Sequence, residues 1–271
     1  MTPILILIFI FILGTIIGSF LNVVIYRLNS GRKIVNDSSM CMSCGHKLKW
    51  YELIPVVSYF IQGCKCRKCR SKISAQYPIV EILTGLIFVA VSVKFLPFLM
   101  LSFWLYVLYV SLYLILFSLL VVMFVYDLRH KIIPNKLVFP FIFLSFLAMV
   151  INLMLFGNIF SLVAILDILA GVIVALPFAL IWLFSKGRLM GLGDAKLMMG
   201  IGWMLGISTG SFAIILAFWI GAVVGLILMV FAKRKIGFKT EVPFAPFLIL
   251  GVFIAFLFGF DLSTLINIFT F

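Results

Sequence analysis

Residues 197–232, LMMGIGWMLGISTGSFAIILAFWIGAVVGLILMVFA, carry no charged side chain in 36 positions. As a helix rising 1.5 Å per residue they would reach about 54 Å, whereas the hydrocarbon core of a bilayer is about 30 Å thick. The stretch is too long for one crossing and too short for two full ones. Its flanks decide between these. Lys186, Arg188 and Lys196 precede it, and Lys233, Arg234, Lys235 and Lys239 follow it. Basic loops stay on the cytosolic side of a membrane, so both ends belong on one side. The chain must therefore cross twice, or dip and return, with one limb short. Gly206-Ile-Ser-Thr-Gly210 is the natural turn, and the short limb begins near Gly191-Leu-Gly193.

The rest of the chain agrees with a bilayer as its solvent. Only 11% of its 271 residues are charged and 65% are hydrophobic, with a mean hydropathy of +1.34, which excludes an ordinary soluble domain carrying about 25% charge. Residues 3–26 are uncharged and predict a first transmembrane helix; lacking a basic n-region and a small-residue cleavage site, they are expected to stay in the mature chain. Further apolar stretches run over 78–97, 99–126, 136–156, 160–184 and 243–260. The net charge of +13 would suggest a nucleic-acid partner in a soluble protein. Here it expresses topology, because placing every basic cluster inside leaves only Lys94 of the 21 Lys and Arg near the outer face. The expected architecture is an all-α polytopic membrane protein of about eight transmembrane helices, with both termini outside and its sizeable polar loops in the cytosol. Its organisation is a first helix over 1–27, a polar loop over 28–77 and a helical membrane domain over 78–271. No internal repeat is evident.

All five cysteines fall in the polar loop, as Cys41-Met-Ser-Cys44 and Cys64-Lys-Cys66-Arg-Lys-Cys69. Two C-x-x-C pairs nearly match the spacing of a zinc ribbon, in which two knuckles supply four thiolates to one tetrahedral ion. In a reducing compartment metal binding is a better account of paired cysteines than disulfides. Cys41, Cys44, Cys66 and Cys69 are the expected ligands of a structural zinc, and Cys64, outside the x-x spacing, is the bystander. His46 could compete, but four thiolates already satisfy the ion. The loop has little apolar core, so the metal would contribute much of its folding free energy. Its basic residues would lie against anionic lipid head groups; without an aromatic stacking platform, a nucleic-acid partner is not expected.

Two acids stand at the cytosolic ends of predicted spans. Asp127 closes the apolar stretch 99–126 and is followed by Ile133-Pro134-Asn135; Asp194 lies in Gly191-Leu-Gly193-Asp194-Ala-Lys196. An acid near hydrocarbon is costly and marks function. Adjacent carboxylates can share one proton, one acting as base and the other as acid, which is what aspartic proteolysis requires. Gly191 and Gly193 allow backbone to approach a peptide closely. Alone, each Asp would be a solvated helix-end charge; together they are the candidate catalytic pair. Glu81 and Glu241 fit supporting or solvated roles, Asp167 fits a buried structural hydrogen bond, and Asp261 ends the last span.

With these residues in view, the chain resembles the type IV prepilin peptidases, membrane leader peptidases that often double as N-methyltransferases and are aspartyl proteases of the Gly-x-Gly-Asp type. Gly18-Ser-Phe-Leu-Asn22-Val-Val-Ile-Tyr26-Arg27 resembles the family's opening signature. The paired cysteines match, with Leu53-Ile-Pro55-Val-Val-Ser58-Tyr59 between them and Gln76-Tyr77-Pro78-Ile-Val-Glu81 after them. The Asp127 and Asp194 blocks resemble the two catalytic blocks, and Val242-Pro243-Phe244-Ala245-Pro246-Phe247 resembles the start of the final helix. Met42 and Ala245 depart from the usual proline and glycine without removing a catalytic group. The resemblance implies a peptidase of the bacterial cytoplasmic (inner) membrane, its active site facing the cytosol. It would cut a basic leader after Gly from type IV prepilin or pseudopilin precursors, with Gly191, Gly193, Lys196 and Asn135 in support. It also implies methylation of the new N-terminus with S-adenosylmethionine, although Lys196 occupies the third glycine position of a G-x-G-x-x-G reading. Two other readings stay open: a general intramembrane aspartyl protease, and a cation-binding transporter or assembly factor with a zinc docking loop.

Overall fold

The computed structural model describes residues 3–35, 37–157, 162–231 and 243–269. The basic cluster Lys233, Arg234, Lys235 and Lys239, with Glu241 and Val242, lies outside the described residues. Among the described residues ten helices follow in order: α1 (Pro3–Arg27), α2 (Val57–Ile61), α3 (Gln76–Lys94), α4 (Leu96–Leu101), α5 (Phe103–His130), α6 (Asn135–Phe156), α7 (Leu162–Ser185), α8 (Leu192–Phe231), α9 (Ala245–Phe258) and α10 (Leu262–Phe269). A single 3-10 turn spans Trp50–Glu52, and no β-strand occurs among the described residues. Six of the helices, α1, α3, α5, α6, α7 and α8, are long and apolar enough to cross a membrane. The protein is an all-α transmembrane protein.

Eight crossings were expected; six helices have the length, and α9 is a shorter apolar helix of 14 residues, about 21 Å. The difference turns on α8. Gly206 interrupts it with φ 78° and ψ 176°, a conformation open essentially to glycine. A Cβ placed on Gly210 would lie 3.9 Å from the Cα of Gly202. Eight residues of continuous helix would separate these positions by about 12 Å. The chain therefore folds back at Gly206, giving a short limb over 192–205 and a longer one over 207–231.

The chain forms two compact units, Met1–Val122 and Met123–Phe271. In the first, α1 packs on α3. Gly14 and Gly18 form a G-x-x-x-G pattern, and a Cβ on either would come within 2.7 Å of the α3 backbone, at Gly85 and Glu81. In a membrane, helices associate through such close backbone approach because lipid supplies no hydrophobic force between them. The cysteine loop joins the ends of these two helices, and Asn22 of α1 donates to the Tyr77 carbonyl of α3 at 3.1 Å.

In the second unit α8 is the hub, packing on α6, α7 and α9. The short limb meets α6 and α7 at Gly200 and Gly202, where a Cβ would strike the Phe141 ring and the Ala170 carbonyl. The longer limb meets α9 at Ala213 and Ala217, against Gly251. Phe141, Phe178, Met198, Ile201 and Leu248 are fully buried here. Asp167 is half-buried on α7, and Asp261 caps α10, accepting the Thr264 N–H at 2.9 Å.

Candidate active site

The second unit brings the two aspartates together. Asp127 sits one turn before the end of α5, and its carbonyl accepts the Lys131 N–H at 2.8 Å. Lys131, at φ 53°, then turns the chain off the helix axis. Pro134 in extended conformation leads into α6, leaving Asn135 as its first residue. On the other side Asp194 occupies the first turn of α8, with its N–H donated to the Gly191 carbonyl at 3.2 Å. Its carboxylate accepts the Gly191 N–H in return, and a Cβ on Gly191 would lie 3.6 Å from Asp194 Oδ2.

Three chain segments close around this point. Asp127 accepts the backbone N–H of Ala245, the first residue of α9. That donor is free because the first turn of a helix has no intrahelical partner for its N–H groups. Asp194 lies within reach of the charge on Asp127. Both acids thus face the positive end of a helix dipole, α9 for one and α8 for the other. Asp127 is only 4% exposed while Asp194 is partly open. Gly193 lets the turn after α5 pack on the start of α8, since a Cβ there would meet the Ile133 Cβ at 3.0 Å. Lys196 donates from Nζ to Asn135 Oδ1 at 2.9 Å, tying the starts of α6 and α8, and its ammonium stands 5.2 Å from the Phe139 ring centroid.

The first unit holds the cysteines. Cys41 N–H donates to the His46 carbonyl and Gly45 N–H to the Cys41 carbonyl, both at 2.9 Å; Cys66 and Ser71, Arg70 and Cys66 repeat the pattern at the same distances. Each C-x-x-C is therefore a tight knuckle closed by an isolated bridge, Met40 to Lys47 and Lys65 to Lys72. The positive φ needed in each falls on Gly45 in one and Arg70 in the other. The Sγ atoms of Cys41, Cys44, Cys66 and Cys69 all lie within 4.8 Å of one another, and Cys41 and Cys69 are 3.9 Å apart. A tetrahedral ion with bonds of about 2.3 Å to sulfur requires separations of about 3.8 Å, so the cluster could hold a metal such as zinc. Burial pushes the Cys41 thiol up, but the Cys44 and Ser43 N–H groups and the Ser71 hydroxyl bring it down to about 6. The His46 N–H lowers Cys44, yet burial and the thiols of Cys69, Cys41 and Cys66 raise it to about 11. A cation at the centre would relieve that crowding. Cys64 stands apart, bonded to Tyr59. Glu52, 7% exposed, links the knuckles through His46 at 3.8 Å and Arg67 at 4.0 Å.

Comparison with known proteins agrees with this anatomy. The bacterial peptidase A24 N-terminal domain matches residues 12–95 and the type IV leader peptidase family matches residues 114–226. The chain is 32% identical over 258 residues to a prepilin leader peptidase/N-methyltransferase of Vibrio cholerae, covering 90% of this chain and 94% of that protein. The chain belongs to the type IV leader peptidase family. The prepilin leader peptidase/N-methyltransferase of Myxococcus xanthus is 37% identical over 86% of this chain and 66% of its own length, and that of Bacillus subtilis 30% identical over 92% and 93%. No solved structure matches the chain. As a leader peptidase relative the protein is a peptidase, and its relatives' names carry a methyltransferase activity beside it.

One contact of Asp127 carries no side-chain signal in the sequence. Ala245 was noted only for replacing a glycine, yet its N–H is the partner of Asp127. The signal was present in Pro243 and Pro246, which mark a helix start at which the first N–H groups are unpaired.

Proposed function

We propose that Asp127 and Asp194 are the catalytic pair, and that they hydrolyse the peptide bond after the Gly that ends the basic leader of a type IV prepilin or pseudopilin precursor. The observation that carries the reading is the convergence of the two carboxylates at the starts of α8 and α9. Two carboxylates this close cannot both ionise cheaply, so one proton is shared between them. The ionised member takes a proton from water as the oxygen attacks the scissile carbonyl; the protonated member donates to the carbonyl oxygen. Burial of one acid and partial exposure of the other supports unequal roles. Gly191 leaves the approach to Asp194 free of side chain, and the Lys196–Asn135 bond holds the loop between α5 and α6 in place. With basic loops on the cytosolic face, the substrate helix lies in the inner membrane of a bacterium and its leader reaches the pair from the cytosol.

Cys41, Cys44, Cys66 and Cys69 would hold a structural zinc. S-adenosylmethionine would supply a methyl group to the new N-terminal amine. A cavity of about 370 Å³ in the first unit has a size suited to such a ligand. Its lining combines Tyr26 and Tyr77, stacked at 5.1 Å, with the acids Glu52 and Glu81, the amide of Asn22 and the cations Arg27, Arg32 and Lys72, groups that could meet the ring, amine and carboxylate of such a ligand.

The test is cleavage in membranes of a precursor with a basic leader and a Gly-Phe junction by wild type, Asp127→Asn and Asp194→Asn. Cleavage after Gly by wild type alone is expected. Equal cleavage by either variant overturns the aspartyl mechanism, and cation flux without cleavage in wild type would favour the transport reading.

A further inference from the structure

The loop that carries the knuckles exposes an apolar face that neither the protease pair nor the metal cluster uses. Trp50, Leu53, Ile54, Val57, Phe60 and Ile61 are each at least 40% exposed, and Phe60 and Ile61 reach 64% and 69%. Apolar side chains gathered this way over twelve positions mark a contact surface. Hydrogen bonds fix the level at which this face lies. The Val56 N–H donates to Glu81 Oε2 at 2.7 Å. Val56 is held at φ 61° and ψ −56° to do so, a conformation a β-branched residue rarely adopts. Glu81 is five residues inside α3, about 7.5 Å from its start. The Ser19 hydroxyl reaches the same carboxylate from α1, eight residues before Arg27, or about 12 Å from that helix end.

The backbone entering α2 is thus pinned about 8–12 Å down two membrane helices, close to the depth of about 5–10 Å at which interfacial amphipathic segments lie. Ile79 and Leu83, one turn apart on α3, are 53% and 46% exposed, so α3 presents apolar side chains to lipid at the same level as Glu81, on another face of the helix. Lys47, Lys49, Lys65, Arg67, Arg70 and Lys72 are exposed on the same loop and complement anionic head groups.

We propose that residues 50–61 are seated in the boundary between head groups and acyl chains of an anionic bilayer, anchored through Val56 to Glu81, so that the cysteine knuckles rest on the membrane. The full-length protein in phosphatidylglycerol nanodiscs tests this, with a photo-crosslinking amino acid at position 60 or, as control, at position 35, where Val35 is 84% exposed in the same loop. Lipid adducts at position 60 several-fold above those at position 35 are expected. Equal yields, or adducts at position 60 to protein instead of lipid, overturn the proposal. Hydrogen exchange of the unsubstituted protein gives a reading independent of the label's effect on folding: amides of 57–61 should exchange several-fold slower in phosphatidylglycerol than in phosphatidylcholine nanodiscs, while those of 31–35 do not change. Equal exchange there overturns the proposal as well.

Discussion

The cysteine cluster and the aspartate pair are assembled in opposite ways. Each knuckle is a hairpin of eight residues that positions two thiols by its own backbone bonds, and the second repeats the hydrogen bonds of the first at the same 2.9 Å distances. The aspartates have no such local device. They are 67 residues apart in sequence and come within reach of each other's charge only because the start of α8 packs on Ile133 after α5 and α9 begins beside Asp127. Local construction makes a site robust to changes elsewhere in the chain, but a loop with little core would draw much of its folding free energy from a metal held by its thiols. Long-range construction makes a site independent of any ligand but dependent on helix packing.

The contrast is broken most severely by removing the metal. Structural zinc contributes about 10–16 kcal/mol in small zinc-binding peptides, so chelation or Cys66→Ser is expected to open residues 37–75 to protease while far-UV helicity is kept. Mass spectrometry of the fragments and metal analysis check this; an intact loop in a metal-free preparation would refute local dependence on the ion. Next comes the pair: Asp127→Asn or Asp194→Asn should lower cleavage by about 10²- to 10⁴-fold, with metal content unchanged. A variant that lost both would mean the two sites do not stand apart.

Helix packing can be probed more gently. Gly206→Ala places a side chain where φ is 78° and ψ is 176°, at a cost of about 1–3 kcal/mol. Its melting temperature should fall with metal content unchanged. Lys196→Ala removes the bond to Asn135 and should slow cleavage about fivefold, the equivalent of about 1 kcal/mol; Lys196→Arg should recover part of the loss. The smallest effect concerns a local cap. The Ser263 hydroxyl and the Thr264 N–H hold Asp261 down to about 2. A carboxylate depressed below its unfolded value stabilises α10 above about pH 4 and loses that contribution as pH falls through about 2. Asp261→Asn should abolish this pH dependence in hydrogen exchange of 262–269.

Much of the fold was legible because its signals are short-range. Uncharged runs marked α1, α5, α6 and α7 within a few residues of their ends. The excess length of 197–232 required a return, and the structure makes it at Gly206, the first residue of the stretch chosen for the turn. The number of full crossings was less legible, because α8 and α9 differ from a span in length alone. At the site, Gly191, Gly193, Lys196 and Asn135 were read as supporting residues, and the structure gathers all four around Asp194 and the start of α6. Ala245 was overlooked, because its contribution is a backbone N–H and no side chain announces it.

The sequence by itself determined that this chain lives in a bilayer, that four of its cysteines lie in two matched knuckles, and that the 197–232 stretch turns back. Each of these follows from residues within one segment, where hydropathy, spacing and glycine conformation act over a few positions. Only the tertiary structure decided that Asp127 and Asp194 come within reach of each other's charge, that the Ala245 N–H bonds to the first of them, and that Glu81 of α3 accepts the Val56 N–H. Those contacts join residues far apart along the chain, and they form only when packed helices bring unpaired N–H groups and carboxylates to the same level in a medium where neither can remain unsatisfied.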